Sequence, residues 1–358
     1  MRILYGVFAQ GQGHFSKAAV LVPALEARGH EVYVVSSGGP QPPAGYSFRR
    51  HRHFSGLAYE VSGGQPDFFR TLVSWTQQIP RISAHMLKLR SLVRQFQPDL
   101  ILSDFEPLCA SGFIEPACEV IALSRQAALL DSAVPLPGEV TFERHLARSI
   151  IRMFMGSADR LCGFHVEPAS SVCVPPIIRP ELHNARSENG EHIVIYNGLP
   201  AAAGGSPEEL VGWAVRNRQL VVAYGMTPLA RGRHGPVEFH LPDRGRMLDD
   251  LRTARAVMTT AGFTTPLEAF LLGKPICVVP IPGHWEQQVN AFHLRRAGLA
   301  HVGEGWDYDR LLELPPPAPD HPLNDWLRTP AERILDHILD EDSPAGDVSR
   351  PARLQGAA

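Results

Sequence analysis

The sequence predicts an α/β protein built as two successive domains, each a mostly parallel sheet with helices on its faces. Three observations carry this. The chain has 358 residues, more than a single hydrophobic core organises comfortably. Short apolar runs alternate with segments of helical spacing, in two separate series. Between the series lies a Pro-rich and then polar stretch, Pro175–Pro180 through Asn184–Gly190, with the composition of a domain boundary.

In the first series, Ile3–Phe8 is an apolar run ended by Gly11-Gln-Gly-His14. Ser16–Arg28 then places Ala19, Val22 and Leu25 at helical spacing, Gly29 stops the helix, and Glu31–Ser36 is β-rich. Such a βαβ unit opens a parallel sheet. Short strands are expected near Tyr46–Arg50 and Leu57–Val61, a helix over Asp67–Phe96 bent at Pro80, and a buried strand over Asp99–Ser103. Asp104-Phe-Glu-Pro107 is expected to begin a helix, because proline suits a first turn. A strand at Val120–Leu123, a helix at Glu139–Met155 and strands at Leu161–Val166 and Ser171–Val174 complete a domain of residues 1–180.

The second series gives strands at His192–Tyr196, Leu220–Tyr224, Val237–His240, Ala256–Thr259 and Ile276–Pro280. Its helices are Ser206–Arg216, Gly245–Thr253, Thr264–Leu272 and Trp285–Ala297, in a domain of residues 191–318. A helical segment occupies 319–340, and the Pro, Gly, Ala and Arg of 341–358 read as a disordered tail.

Composition excludes several function classes. Hydrophobic content of 44% with 20% charged residues fits a soluble globular protein, and a net charge of -3 argues against bulk nucleic-acid binding. Cys109, Cys118, Cys162, Cys173 and Cys277 are scattered without a C-x-x-C pair, which reads as reduced core residues in the cytoplasm. No apolar run approaches a membrane span, and Met1–Phe8 is too short for a signal-peptide core.

Ligands of open α/β sheets bind at the carboxyl ends of strands. The loop after Phe8, the loop after Ser103 and the turn after Thr260 all lie at such ends and can face one cleft between the domains. In the Thr259–Asn290 segment, backbone amides of Gly262, Phe263 and Thr264 are expected free at a helix N-terminus, a site for a diphosphate. The Thr264 and Thr265 hydroxyls stand beside them. Glu268 is placed to reach ribose hydroxyls, and Glu286-Gln287-Gln288 to reach those of a sugar.

The Gly11-x-Gly13 pair begins a dinucleotide fingerprint. Its third position, however, is Ser16, and no acid closes the Val34–Gly38 strand, so a NAD or FAD site is not expected. The loop is either a tight turn only, or a place where Gly13 admits another molecule while His14 acts as general base. Asp104 is either the partner of His14 or a helix N-cap, with Glu106 the second candidate partner. Asp307-Tyr-Asp309 reads as solvated loop rather than a metal site. His51-Arg-His53 reads as a surface or acceptor-facing loop lacking a third metal ligand, and Arg144–Met155 as a core-facing helix with at most minor membrane contact.

From the Gly11 loop to about Gly305, these motifs resemble the GT-B glycosyltransferases of the MurG and UDP-glycosyltransferase type. The resemblance implies two Rossmann-like domains facing a central cleft, acceptor on the first and donor on the second. It also implies an inverting displacement with no metal or resident cofactor, a nucleoside-diphosphate sugar being co-substrate. By motif, His14 matches the general base and Asp104 its partner. Gly262 to Thr265 match the diphosphate turn, Glu268 the ribose ligand, and Gln287 and Gln288, with Glu286 beside them, the donor-sugar contacts. Thr260 stands where plant-type members have His, and Phe239-His-Leu-Pro242 where they have Trp-x-Pro-Gln. Phe239 and His240 are therefore the candidate base contacts, and the base itself (uridine commonest, thymidine or guanosine otherwise) stays open. The expected partners are the nucleotide-sugar donor and a small-molecule or lipid-linked acceptor shaped by residues 40–80 and 124–145. Neither nucleic acid nor more than peripheral membrane contact is expected, and the state is monomer or homodimer. The rival reading is a nucleotide-sugar epimerase of the same fold, recruiting Glu106, Glu115 and Glu268.

Overall fold

The computed structural model describes residues 1–340 other than 11, 40, 43–44, 57, 59, 63–64, 67, 111–113, 115, 139–141, 157, 184, 186, 199–204 and 227–230. Gly11, Glu115 and the 341–358 tail thus lie outside the described residues.

The apolar runs of the first half become β1 (Arg2–Phe8), β2 (Glu31–Ser37) and β3 (His51–Phe54), followed by a small hairpin of β4 (Val61–Ser62) and β5 (Gln65–Pro66). Strands β6 (Leu100–Asp104), β7 (Glu119–Ser124), β8 (Arg160–Phe164) and β9 (Cys173–Val174) follow. All but the hairpin join one parallel sheet, order β3-β2-β1-β6-β7-β8-β9. The second half supplies β10 (Ile193–Tyr196), β11 (Val221–Tyr224), β12 (Gly232–His234), β13 (Val237–His240), β14 (Ala256–Thr260), β15 (Ile276–Val279) and β16 (His301–Val302). Their order is β12-β13-β11-β10-β14-β15-β16, parallel except for the edge strand β12. The central strands are buried along nearly their whole length, which is why they read as unbroken apolar runs rather than as alternation.

Each sheet reverses its winding once, between β1 and β6 and between β10 and β14. A crevice opens outside the carboxyl ends of the strands at such a reversal. Phe8 and Asp104 end the first pair; Tyr196 and Thr260 end the second.

Helices α1 (Gly13–Ala27), α2 (Phe68–Phe96), α3 (Arg125–Ala128), α4 (Phe142–Phe154) and α5 (Pro180–His183) belong to the first half. Helices α6 (Pro207–Asn217), α7 (Arg244–Thr253), α8 (Thr264–Leu271), α9 (Trp285–Arg296) and α10 (Tyr308–Glu313) belong to the second. Among the described residues no helix is long and apolar enough to cross a membrane.

The structure departs from expectation at several places. The 319–340 segment is two helices, α11 (Asn324–Leu327) and α12 (Ala331–Leu339), because Pro330 disfavours helical backbone at Thr329. Leu327 packs with Leu271 and Leu272 of the second domain, whereas Ile334, Leu335 and Ile338 return to Phe15, Leu21 and Leu25 of the first. Arg160 holds that return by donating to the Ile338 and Asp340 carbonyls, both at 2.6 Å. The strand expected at Tyr46–Arg50 forms at His51–Phe54. Asp307 caps α10 through the Arg310 amide, and Asp309 accepts from Trp213 Nε1 at 2.7 Å, so the expected loop is a capped helix.

No helix starts at Asp104. Phe105 takes a left-handed φ of 57°, residues 107–110 form a turn, and the Glu106 carboxylate folds back onto the Leu108 and Cys109 amides. The polar side chain of Glu106 competes with helix formation for the same backbone donors.

Candidate functional site

The two reversals face one cleft of about 340 Å³. On its first wall, β1 runs beside β6 with Val7 opposite Asp104, so His14, in the first turn of α1, meets the residue that ends β6. His14 Nδ1 lies 2.7 Å from Asp104 Oδ1. The same oxygen accepts from Lys17 Nζ at 2.8 Å, and Nζ stands 3.5 Å from His14 Nδ1. Asp104 is fully buried. Burial alone would raise its carboxyl pKa, but the charges of Lys17 and His14, with their hydrogen bonds, outweigh this and hold it below the ordinary value. An ionised Asp104 requires a proton on Nδ1, which leaves Nε2 as the acceptor nitrogen of a neutral ring. The imidazole packs against Phe8, edge-on at 5.9 Å, and Phe105, stacked at 6.1 Å.

The cap reading of Asp104 fails because no helix starts there, and the Glu106 amide donates to Ser103 Oγ instead. Glu106 is not beside His14: it accepts from Ser37 Oγ, and burial raises its pKa.

On the facing wall, Thr260, Gly262, Phe263, Thr264 and Thr265 line the cleft, with Gly13 across from them. Gly262 differs from expectation, because its N–H donates to Thr260 O at 2.7 Å. The amides without an intrahelical acceptor are those of Phe263, Thr264 and Thr265, since Pro266 has none. The Thr260 hydroxyl accepts from the Gly198 amide at 3.1 Å, tying β14 to the loop after β10.

Glu286 and Gln287 open on the cleft; Gln288 does not and is exposed to solvent. Successive helical residues point about 100° apart, so the partner of Gln287 on this face is Asn290, one turn on. Glu268 is also absent from the cleft wall. It is 2% exposed, and Arg179 grips both its oxygens, Nε to Oε1 and Nη2 to Oε2 at 2.6 Å each. Phe239 is core and His240 pairs with Glu238 at 3.0 Å; neither reaches the cleft, because β13 lies two strands from the β10–β14 reversal. His51 and His53 sit on the edge strand β3, both on Ser36 Oγ, at 2.8 and 2.9 Å.

The sequence profile described as glycosyl transferase family 1 matches residues 1–313. The chain belongs to that family. No curated protein sequence matches it. Among solved structures, the glycotransferase of kitacinnamycin superposes with a TM-score of 0.61 at 16% identity, over 94% of this chain and 98% of that one. UGT2 of Phytolacca americana, complexed with UDP-2fluoro-glucose and pterostilbene, gives 0.58 at 14% identity, over 96% of each chain. SsfS6 of Streptomyces sp. SF2575, complexed with thymidine diphosphate, gives 0.52 at 16% identity, over 95% of this chain and 100% of that one. The fold is GT-B.

The cleft of this glycosyltransferase also contains residues the sequence reading passed over. Lys17 is one turn beyond His14 on the same helix face, a neighbour that spacing alone identifies. Arg125 and Gln126 follow β7, at another strand's carboxyl end, and Gln126 Nε2 donates to Glu286 Oε2 at 3.2 Å across the domain junction. Ala147, Ile150 and Ile151 turn the apolar face of α4 into the cleft beside Leu129. The same helix is core-facing as expected, Ile151 and Phe154 being buried in one cluster with Leu129.

The Arg179–Glu268 pair joins the linker to α8 and is buried on both sides. Breaking such a pair from one side strands a buried charge, at a cost of about 3 kcal/mol or more. Arg179→Ala is therefore expected to lower the midpoint of thermal unfolding by several degrees, measured by calorimetry; an unchanged midpoint would refute the structural role.

Proposed function

We propose that this glycosyltransferase moves a sugar, with inversion, from a nucleoside-diphosphate sugar to a hydroxyl of a small-molecule or lipid-linked acceptor. The observation that carries this reading is the His14–Asp104 contact of 2.7 Å, set across the cleft from the N-terminus of α8. The acceptor oxygen gives its proton to His14 Nε2 and bonds to the anomeric carbon as the bond from that carbon to the diphosphate breaks. Asp104 holds the imidazolium so formed. The Phe263, Thr264 and Thr265 amides and the α8 dipole meet the charge on the departing diphosphate, so no metal is required for that step. Glu286 and Gln287 are the proposed donor-sugar contacts, and Phe8, Phe105, Leu129, Ile150 and Ile151 the wall for an apolar acceptor body.

The nucleotides bound to UGT2 and SsfS6 favour a uridine or thymidine donor. For the epimerase reading, two of its three carboxylates, Glu106 and Glu268, are held in internal bonds. The five free cysteines suit the cytoplasm.

The test is product stereochemistry. UDP- and TDP-sugars of known anomeric configuration are offered with a panel of aryl and lipid alcohols, and the linkage is read from its NMR coupling. An inverted glycoside is expected; a retained one, or a donor epimerised without acceptor, overturns the proposal.

A further inference from the structure

Arg125 opens α3 at the carboxyl end of β7 and is 2% exposed, yet it lines the cleft. Its position is set by close packing of α3 on β8, where a Cβ at Gly163 would stand 2.3 Å from the Ala128 nitrogen. The guanidinium reaches into the other domain. Nε donates to Asn290 Oδ1 at 3.1 Å and Nη2 to His293 Nδ1 at 2.6 Å, with a longer contact from Nη1 to Phe164 O at 3.4 Å.

All three acceptors are neutral. Two are amide oxygens, and the third is a neutral imidazole: His293 Nδ1 accepts from the guanidinium while Nε2 donates to Pro135 O at 2.6 Å. Burial first, and then the charge of Arg125, push the His293 pKa down to about 3. Among the described residues no carboxylate stands within ion-pair distance of Arg125. Glu286, whose charge acts on it, is engaged by Gln126.

A buried charge surrounded only by neutral groups is costly, and folded proteins rarely keep one without a counter-ion to receive. Phe263 sets the guanidinium beside the α8 terminus. The guanidinium lies 5.0 Å from its ring centroid, and Phe263 is the residue immediately before α8, whose free amides line the same cleft. We infer that Arg125 is a diphosphate ligand contributed by the acceptor-side domain, facing the α8 terminus from across the domain junction; this rests on the donor reading proposed above. Three of its five N–H groups are spent on Asn290, His293 and Phe164, and two remain for phosphate oxygens. Because Asn290 and His293 lie on α9, the contact between domains exists before donor arrives. The leaving group then meets a preset positive charge as well as backbone dipoles.

Arg125→Gln and Arg125→Lys test this, with calorimetric titration of UDP and TDP against uridine and thymidine. The Gln variant is expected to bind the diphosphates about tenfold to a hundredfold more weakly with nucleoside affinity unchanged, and the Lys variant to keep most of the diphosphate affinity. Equal weakening of nucleoside and nucleotide, which a purely structural role gives, overturns the assignment. Unaltered diphosphate binding by Arg125→Gln also overturns it. A wild-type protein that binds no nucleoside diphosphate fails the donor reading itself; a wild-type protein that binds one, with Arg125→Gln unimpaired, fails only the role of Arg125.

Discussion

Replacing His14 with alanine is expected to lower turnover by about a hundredfold or more while leaving donor affinity nearly unchanged. The magnitude is what a positioned general base supplies when it takes a proton in the transition state. Here the positioning is strong. The ring is fixed by Asp104 through Nδ1 and packed against Phe8 and Phe105, so alanine removes a base whose orientation the fold has already set. The split between turnover and binding follows from the layout of the cleft. His14 stands on the first wall, and the α8 amides proposed to receive the donor stand on the second. Steady-state kcat with saturating acceptor and a calorimetric donor Kd give the two numbers. Near wild-type turnover would remove His14 as the base; a large loss of donor affinity would place it among the donor's contacts instead.

His14 and Asp104 were legible in the sequence because each is a local feature. Each follows an apolar run, and the carboxyl-end rule places both near the cleft without any knowledge of partners. The same rule applied to Val120–Leu123 would have found Arg125 and Gln126. Glu268 was misjudged for the opposite reason. Its ribose role was inferred from helix position, and what decides its environment is Arg179, 89 residues earlier and unreadable from spacing. Gln288 failed on helical geometry that was available: Asn290, not Gln288, shares a face with Gln287. Phe239 and His240 were placed by analogy of position, and strand order, which no local pattern contains, puts β13 out of reach.

Asp104→Asn is the second large effect expected, with turnover falling about a hundredfold or more although the side chain keeps its shape. The amide still accepts one hydrogen bond but carries no charge. Lys17, 6% exposed, then has no anion, and its ammonium 3.5 Å from His14 Nδ1 opposes the imidazolium that proton transfer creates. Stability falls too, by about 3 kcal/mol, because a buried cation is left unpaired. The pH dependence has a definite sign. The Asp104 carboxyl is held below its ordinary value, so its ionisation stabilises the fold fully above about pH 4, and the contribution is lost as pH falls through the depressed folded value. The deficit of the Asn variant should therefore be greatest near neutrality and shrink in strong acid, as urea titrations across pH would show. Adding Lys17→Met separates the two roles. The double variant loses the stranded cation and should regain stability, but the imidazolium still lacks its anion, so turnover should stay low. Recovered turnover would mean that Asp104 serves only to hold Lys17.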